Sequence, residues 1–124
     1  MWEKELIPNP DRLFMRIHDS DIREGNLIPG VFREKGEGEL KGMSTDWEAY
    51  STMQESRSRA KDPKVNSIIS LIAGNVRSLN LSVDHAPEEN NRSHTNIKGI
   101  NVEVRLKLAD QKMFSWEIKT DKVT

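Results

Sequence analysis

The stretch that decides the fold is Val65-Asn66-Ser67-Ile68-Ile69-Ser70-Leu71-Ile72-Ala73. Branched aliphatic side chains dominate it, and these fit the packed, pleated surface of a sheet, so it reads as a central strand that leaves through Gly74-Asn75. A second strand, Leu79 to Val83, follows closely. Upstream, an N-terminal arm punctuated by Pro8 and Pro10 leads into Leu13-Phe14-Met15-Arg16-Ile17, a short buried strand, after which Asp19 or Ser20 caps a single helical turn ending at Gly25. Leu27 to Phe32 is extended or turning because Pro29 restricts Ile28. The run from Glu34 to Gly42 holds three glycines among charges and is expected as an exposed, flexible loop.

Thr52 and Glu55 have the spacing of a capping box, which starts a helix near Met53 and lets it run to Ala60, where Asp62-Pro63 stops it. Trp47 and Tyr50 precede it on a turn or short helix. Near the C-terminus, Ile100, Val102, Val104, Leu106 and Leu108 alternate with Asn101, Glu103, Arg105 and Lys107, the pattern of a half-buried strand. Phe114, Trp116 and Ile118 repeat the alternation after Asp110-Gln111, which suggests a hairpin; because that turn has no glycine, a helix is the other reading of the first arm. Residues 119–124 are expected to fray. The whole is one α+β domain over residues 1–124, with a mostly antiparallel or mixed sheet and one or two short helices.

Composition sets the bounds on function. At 124 residues with 35% hydrophobic and 31% charged side chains, the chain supports one lean core. Its 19 basic and 20 acidic residues produce no global field, so any attraction to anions is local, and neither nucleic acid nor a membrane surface is an expected partner. The basic group Arg57, Arg59, Lys61 and Lys64 is diluted by Glu55 and Asp62. No cysteine is present, which excludes thiolate chemistry and suits a cytoplasmic location. The longest apolar run, Ile68 to Ala73, is far too short to span a bilayer, and no apolar leader follows Met1.

No Walker loop, GxGxxG, HExxH, CxxC or GxSxG occurs. What remains is the polar segment from Asp84 to Asn96, with His85, Asn91, Arg92 and His94. If the flanking strands bring the two imidazoles together, Arg92 supplies a forked donor and an anion pocket results. The plainer reading has the asparagines capping turns and the histidines bonded to backbone. A zinc site from His18, His85 and His94 finds no support in ligand spacing, and no metal is expected. Arg16 and His18 share one face of the first strand, where a cation wants an anionic partner. Ser44 and Thr45, close to Trp47 and Tyr50, offer hydroxyls beside aromatic faces, or else a cap and a core tryptophan.

Taken in order, Leu13 to His18, Gly25-Asn26-Leu27-Ile28-Pro29 and Gly42-Met43-Ser44-Thr45-Asp46 resemble the opening of ADP-ribosyltransferase-type domains, which include the small RNA 2′-phosphotransferases. The likeness spans about the first 50 residues, without the usual His-Gly-Thr triplet. It implies NAD as cofactor, Arg16 or His18 as its first-strand contact, Ser44 and Thr45 as the second motif, and a carboxylate such as Glu103 as the third. The His85-Ala86-Pro87 to Asn91-Arg92-Ser93-His94 segment is also similar to one in uncharacterised small bacterial proteins, which implies no activity.

Two functions follow as expectations. In one, the domain binds or acts on a nucleotide or phosphorylated ligand: His18, His85 and His94 move protons, and Arg16, Arg92, Asn91, Ser44 and Thr45 hold the ligand. In the other, it is a non-catalytic protein-interaction module or accessory subunit of a larger bacterial assembly, a reading drawn from its three tryptophans, with Trp2 the one expected to be exposed.

Overall fold

Hydrophobic side chains on alternate positions of Arg12–His18 put Leu13, Met15 and Ile17 in the core and Arg16 on the opposite face. This strand, β1, opens a computed structural model that describes residues 2–123. It is followed by β2 (Ile22–Arg23), β3 (Asn26–Leu27), β4 (Met43–Trp47), α1 (Met53–Ser58), β5 (Asn66–Ile72) and α2 (Ala73–Arg77). The chain continues through β6 (Ser82–His85), β7 (His94–Lys98), α3 (Val102–Leu108) and β8 (Phe114–Ile118). Six strands form one antiparallel sheet in the order β6-β7-β4-β1-β5-β8, and β2-β3 make a separate hairpin. The fold is a single small α+β domain with three short α-helices rather than one or two.

The stretch around Ile68 lies inside the sheet as expected: β5 pairs with β1 over seven positions and with β8 on its other side. One face of the sheet carries the main core. There Leu13, Met15, Ile17, Trp47, Ile69 and Ile97 pack under Ile7 of the N-terminal arm, Phe32, Val76 of α2, and Val104 and Leu108 of α3. The other face sets buried Phe14 and Ile68 beside Asp46 and Ser70, and α1 crosses it above β1 and β5. The capping box is present, with Thr52 accepting from the Glu55 N–H and Glu55 accepting from the Thr52 N–H.

Several expectations are corrected. The second strand expected over Leu79 to Val83 is β6 at Ser82–His85, Gly74-Asn75 lies inside α2 rather than at a strand exit, and Trp47 ends β4 rather than sitting on a turn or short helix. The alternating segment at 100–108 is helical: Asn101 caps α3 through its side-chain oxygen, and a four-residue spacing buries Val104 and Leu108 while leaving Val102 and Leu106 exposed. The single helical turn expected to reach Gly25 ends at Asp21, because Glu24 and Gly25 both adopt positive φ and turn the chain into the β2-β3 hairpin. The C-terminal segment expected to fray is tied down, since Thr120 bonds to Ser67 and Asp19 and Val123 is buried. Thr124 itself lies outside the described residues. The glycine-rich loop is closed at its base by reciprocal Lys35 and Gly42 backbone bonds.

Candidate functional site

The site begins with a sheet defect. Strands β1 and β4 are neighbours, yet they pair at only two positions, Leu13 with Trp47 and Phe14 with Asp46. Beyond them the two edges diverge, held apart by the full ladders each makes with its other neighbour. The gap is a cleft of about 730 Å³, walled by Met15, Arg16 and His18 from β1 and Met43 and Ser44 from β4. Lys35 of the glycine-rich loop and Arg33 just before it border the cleft, and Ala60, Lys61 and Asp62 border it from the segment after α1.

Behind the cleft-lining Arg16 lies Asp46, only 2% exposed. A carboxylate there is tolerable only if it is fully bonded. Ser56 donates to Oδ2 at 2.6 Å, Asn91 to Oδ1 at 2.8 Å and Ser93 to Oδ1 at 3.2 Å. Guanidinium nitrogens of Arg16 and Arg59 each lie 3.1 Å from Oδ2. Burial pushes the Asp46 carboxyl up, but the Ser56 and Asn91 hydrogen bonds with the two guanidiniums outweigh it and hold the group below its ordinary range. Of the two cations around this anion, Arg16 also lines the cleft.

The polar residues singled out in the sequence divide between the two faces of the sheet. Asp46 is paired with His94 and Thr95 with His85, so strand alternation sends the two imidazoles to opposite faces. His85 is buried: its Nδ1 accepts from the Glu5 N–H at 3.0 Å, which makes Nε2 the protonated nitrogen that donates to the Arg92 carbonyl. It packs against Trp47 and Tyr50. Arg92 belongs to this side, its guanidinium 3.9 Å from the Tyr50 ring centroid and 4.6 Å from that of the half-exposed Trp2. Thr45 is buried and bonds toward the Thr95 carbonyl.

On the cleft side are Arg16, His18 and Ser44, with Asn91 reaching Asp46 from the 86–93 loop and His94 bonded to Ser44. His18 accepts from the Ser20 N–H through Nδ1. Glu103 rides on exposed α3, paired with Lys107, and does not line the cleft. Of the basic residues around α1, Arg57 donates to the Asn66 carbonyl and Arg59 is committed to Asp46 and Ser51.

Asp46, Ser56, Arg59 and Ser93 were not legible as a unit. The available signal was the lone carboxylate of Asp46 between Met43-Ser44-Thr45 and Trp47, which needs cationic partners once that stretch is a buried strand. Among the described residues, no three His, Asp or Glu side chains gather as a metal site, and no helix is long and apolar enough to cross a membrane. Comparison with known proteins finds no family model, no curated protein and no solved structure that matches this chain.

Proposed function

We propose that the domain binds a small phosphorylated ligand of about nucleotide size in the cleft between β1 and β4. One observation carries the reading: Arg16, Arg33, Lys35 and Lys61 line the cleft against only Asp21 and Asp62. Lys35 and Lys61 have no ion-pair partner among the described residues, so their charge is available to a ligand. A phosphate offers several acceptor oxygens at once, which suits a guanidinium fork and flanking ammonium groups. The volume is that of small-molecule sites, about 300–1,000 Å³.

Thermal unfolding with inorganic phosphate, ADP-ribose and NAD tests the reading; NAD is included because the ADP-ribosyltransferase resemblance implies it. A ligand at a hundred times its Kd stabilises by about 2.7 kcal/mol, on the order of 10 °C in a domain of this size. The double variant Lys35→Glu, Lys61→Glu should lose that rise and keep the unliganded Tm, since both side chains are exposed. Absence of a shift with all three ligands overturns the proposal.

A second reading, an interaction module, is favoured by α3. Val102 and Leu106 lie one turn apart on its outer face, 70% and 62% exposed. Its simplest form is self-association through this face. A sedimentation mass that rises with concentration, and returns to the monomer value in Leu106→Lys, supports it; a monomer at every concentration counts against it.

A further inference from the structure

His94 is held in one proton arrangement by its surroundings. The Ala86 carbonyl lies 2.8 Å from Nδ1, and because a carbonyl only accepts, Nδ1 carries the proton of the neutral imidazole. Nε2 therefore presents its lone pair, and the atom it faces is the Ser44 Oγ at 3.1 Å. A hydroxyl that donates to an imidazole, itself oriented by an acceptor on its far nitrogen, is the arrangement that activates a serine. Ser44 is exposed and stands on the cleft wall, whereas the His94 side chain is 14% exposed. The Glu88 carboxylate, 3.8 Å from Nε2, faces the imidazolium that forms when His94 takes a proton. Register does the placing: Ser44 and Asp46 on β4 oppose Asn96 and His94 on β7, so Ser44 and His94 are diagonal neighbours on one face.

We infer that Ser44 is a nucleophile with His94 as its general base, and that the ligand of the cleft is a phosphate ester or anhydride whose phosphoryl group passes through Ser44 to water. The inference rests on the cleft being a phosphate site. In the first step His94 Nε2 removes the Ser44 hydroxyl proton as Oγ bonds to phosphorus. The bond from phosphorus to the leaving oxygen breaks, its electron pair stays on that oxygen, and His94 returns the proton there. In the second step His94 deprotonates a water, whose oxygen attacks the phosphoserine. The bond from Oγ to phosphorus breaks, Ser44 recovers its proton from His94, and inorganic phosphate leaves. Arg16 and Lys35 face the charge gathered on the phosphoryl oxygens.

The test uses the full chain and two probes. A neutral fluorophosphonate ester reports the nucleophilicity of Ser44 whether or not the cleft holds anions, and p-nitrophenyl phosphate reports the transfer. The wild-type chain is expected to be labelled at Ser44, mapped by peptide mass spectrometry, and to release p-nitrophenolate. Ser44→Ala should abolish both, and His94→Gln should slow both by about 10²-fold or more. Ser44→Ala changes an exposed side chain, so it is expected to fold with the unliganded Tm of the wild type. No labelling at Ser44, or unchanged labelling and turnover in a folded His94→Gln, overturns the inference. A phosphate-induced Tm rise without labelling or turnover overturns it and leaves the binding reading intact. Labelling without any phosphate effect or turnover removes the binding reading and the phosphoryl assignment with it.

Discussion

Asp46→Asn keeps the shape of its side chain while removing the charge on which Arg16 and Arg59 converge. It should destabilise by about 3 kcal/mol, because breaking a buried pair strands the partner cations. Urea unfolding of the variant beside the wild type checks this. The acid side of the stability curve follows from the same residue. Since the folded Asp46 carboxyl titrates below its unfolded value, the native state binds fewer protons in that range. The stabilisation is therefore complete above the unfolded carboxylate range, near pH 4, and is lost as pH falls through the lower folded value. Unfolding measured from pH 7 to 2 should show this loss in the wild type and a shallower acid slope in Asp46→Asn. Strand alternation already placed Arg16 and His18 on one face in the sequence. That Arg16 would meet Asp46, 30 positions along the chain, depends on a register that no local pattern encodes.

At the scale of elements, α3 shows how far a pattern can mislead. Apolar residues at 102, 104, 106 and 108 fit a strand with all four on one face, and they fit a helix in which 104 and 108 lie inward while 102 and 106 lie outward. The helix prevails because Asn101 caps it, and because its inward pair completes a core shared with Phe32, whose carbonyl also accepts from Arg105. The two arrangements differ in what truncation costs. Leu108→Ala, at a fully buried position, should cost about 3 kcal/mol, whereas Leu106→Ala should change stability by less than about 0.5 kcal/mol. Equal losses would restore the strand. The capping box at Thr52 was legible because it is purely local: two side chains satisfy two backbone donors within four residues. Thr52→Ala should accordingly cost about 1 kcal/mol in chemical denaturation.

Across the whole molecule, the N-terminal arm acts as a brace with no regular structure of its own. Ile7 is buried, its carbonyl accepts from Arg77, and the Glu5 N–H satisfies buried His85. Removing residues 1–7 should lower stability by several kcal/mol, since buried Ile7 is lost, the core beneath it is uncovered and His85 loses its Glu5 partner. A differential scanning comparison of the shortened and complete chains measures it. The expected effect extends to the far side of the domain, because Arg92, seated on Tyr50 and Trp2, ties the arm to the loop that also delivers Asn91 to Asp46.

Local information in the chain was sufficient for the α+β class, the β5 strand, the start of α1 and the Phe114 strand, because hydrophobic spacing and caps act over a few residues. Strand alternation put Arg16 and His18 on one face, and polar composition drew attention to Ser44 and His94. Only the folded arrangement separated His85 from His94, opened the gap between β1 and β4, and joined Ser44 to His94 across 50 positions. Each of those outcomes depends on which strands become neighbours and in what register. That choice is made by burial summed over the whole sheet, and a shift of one residue in any ladder would turn these side chains to the opposite face.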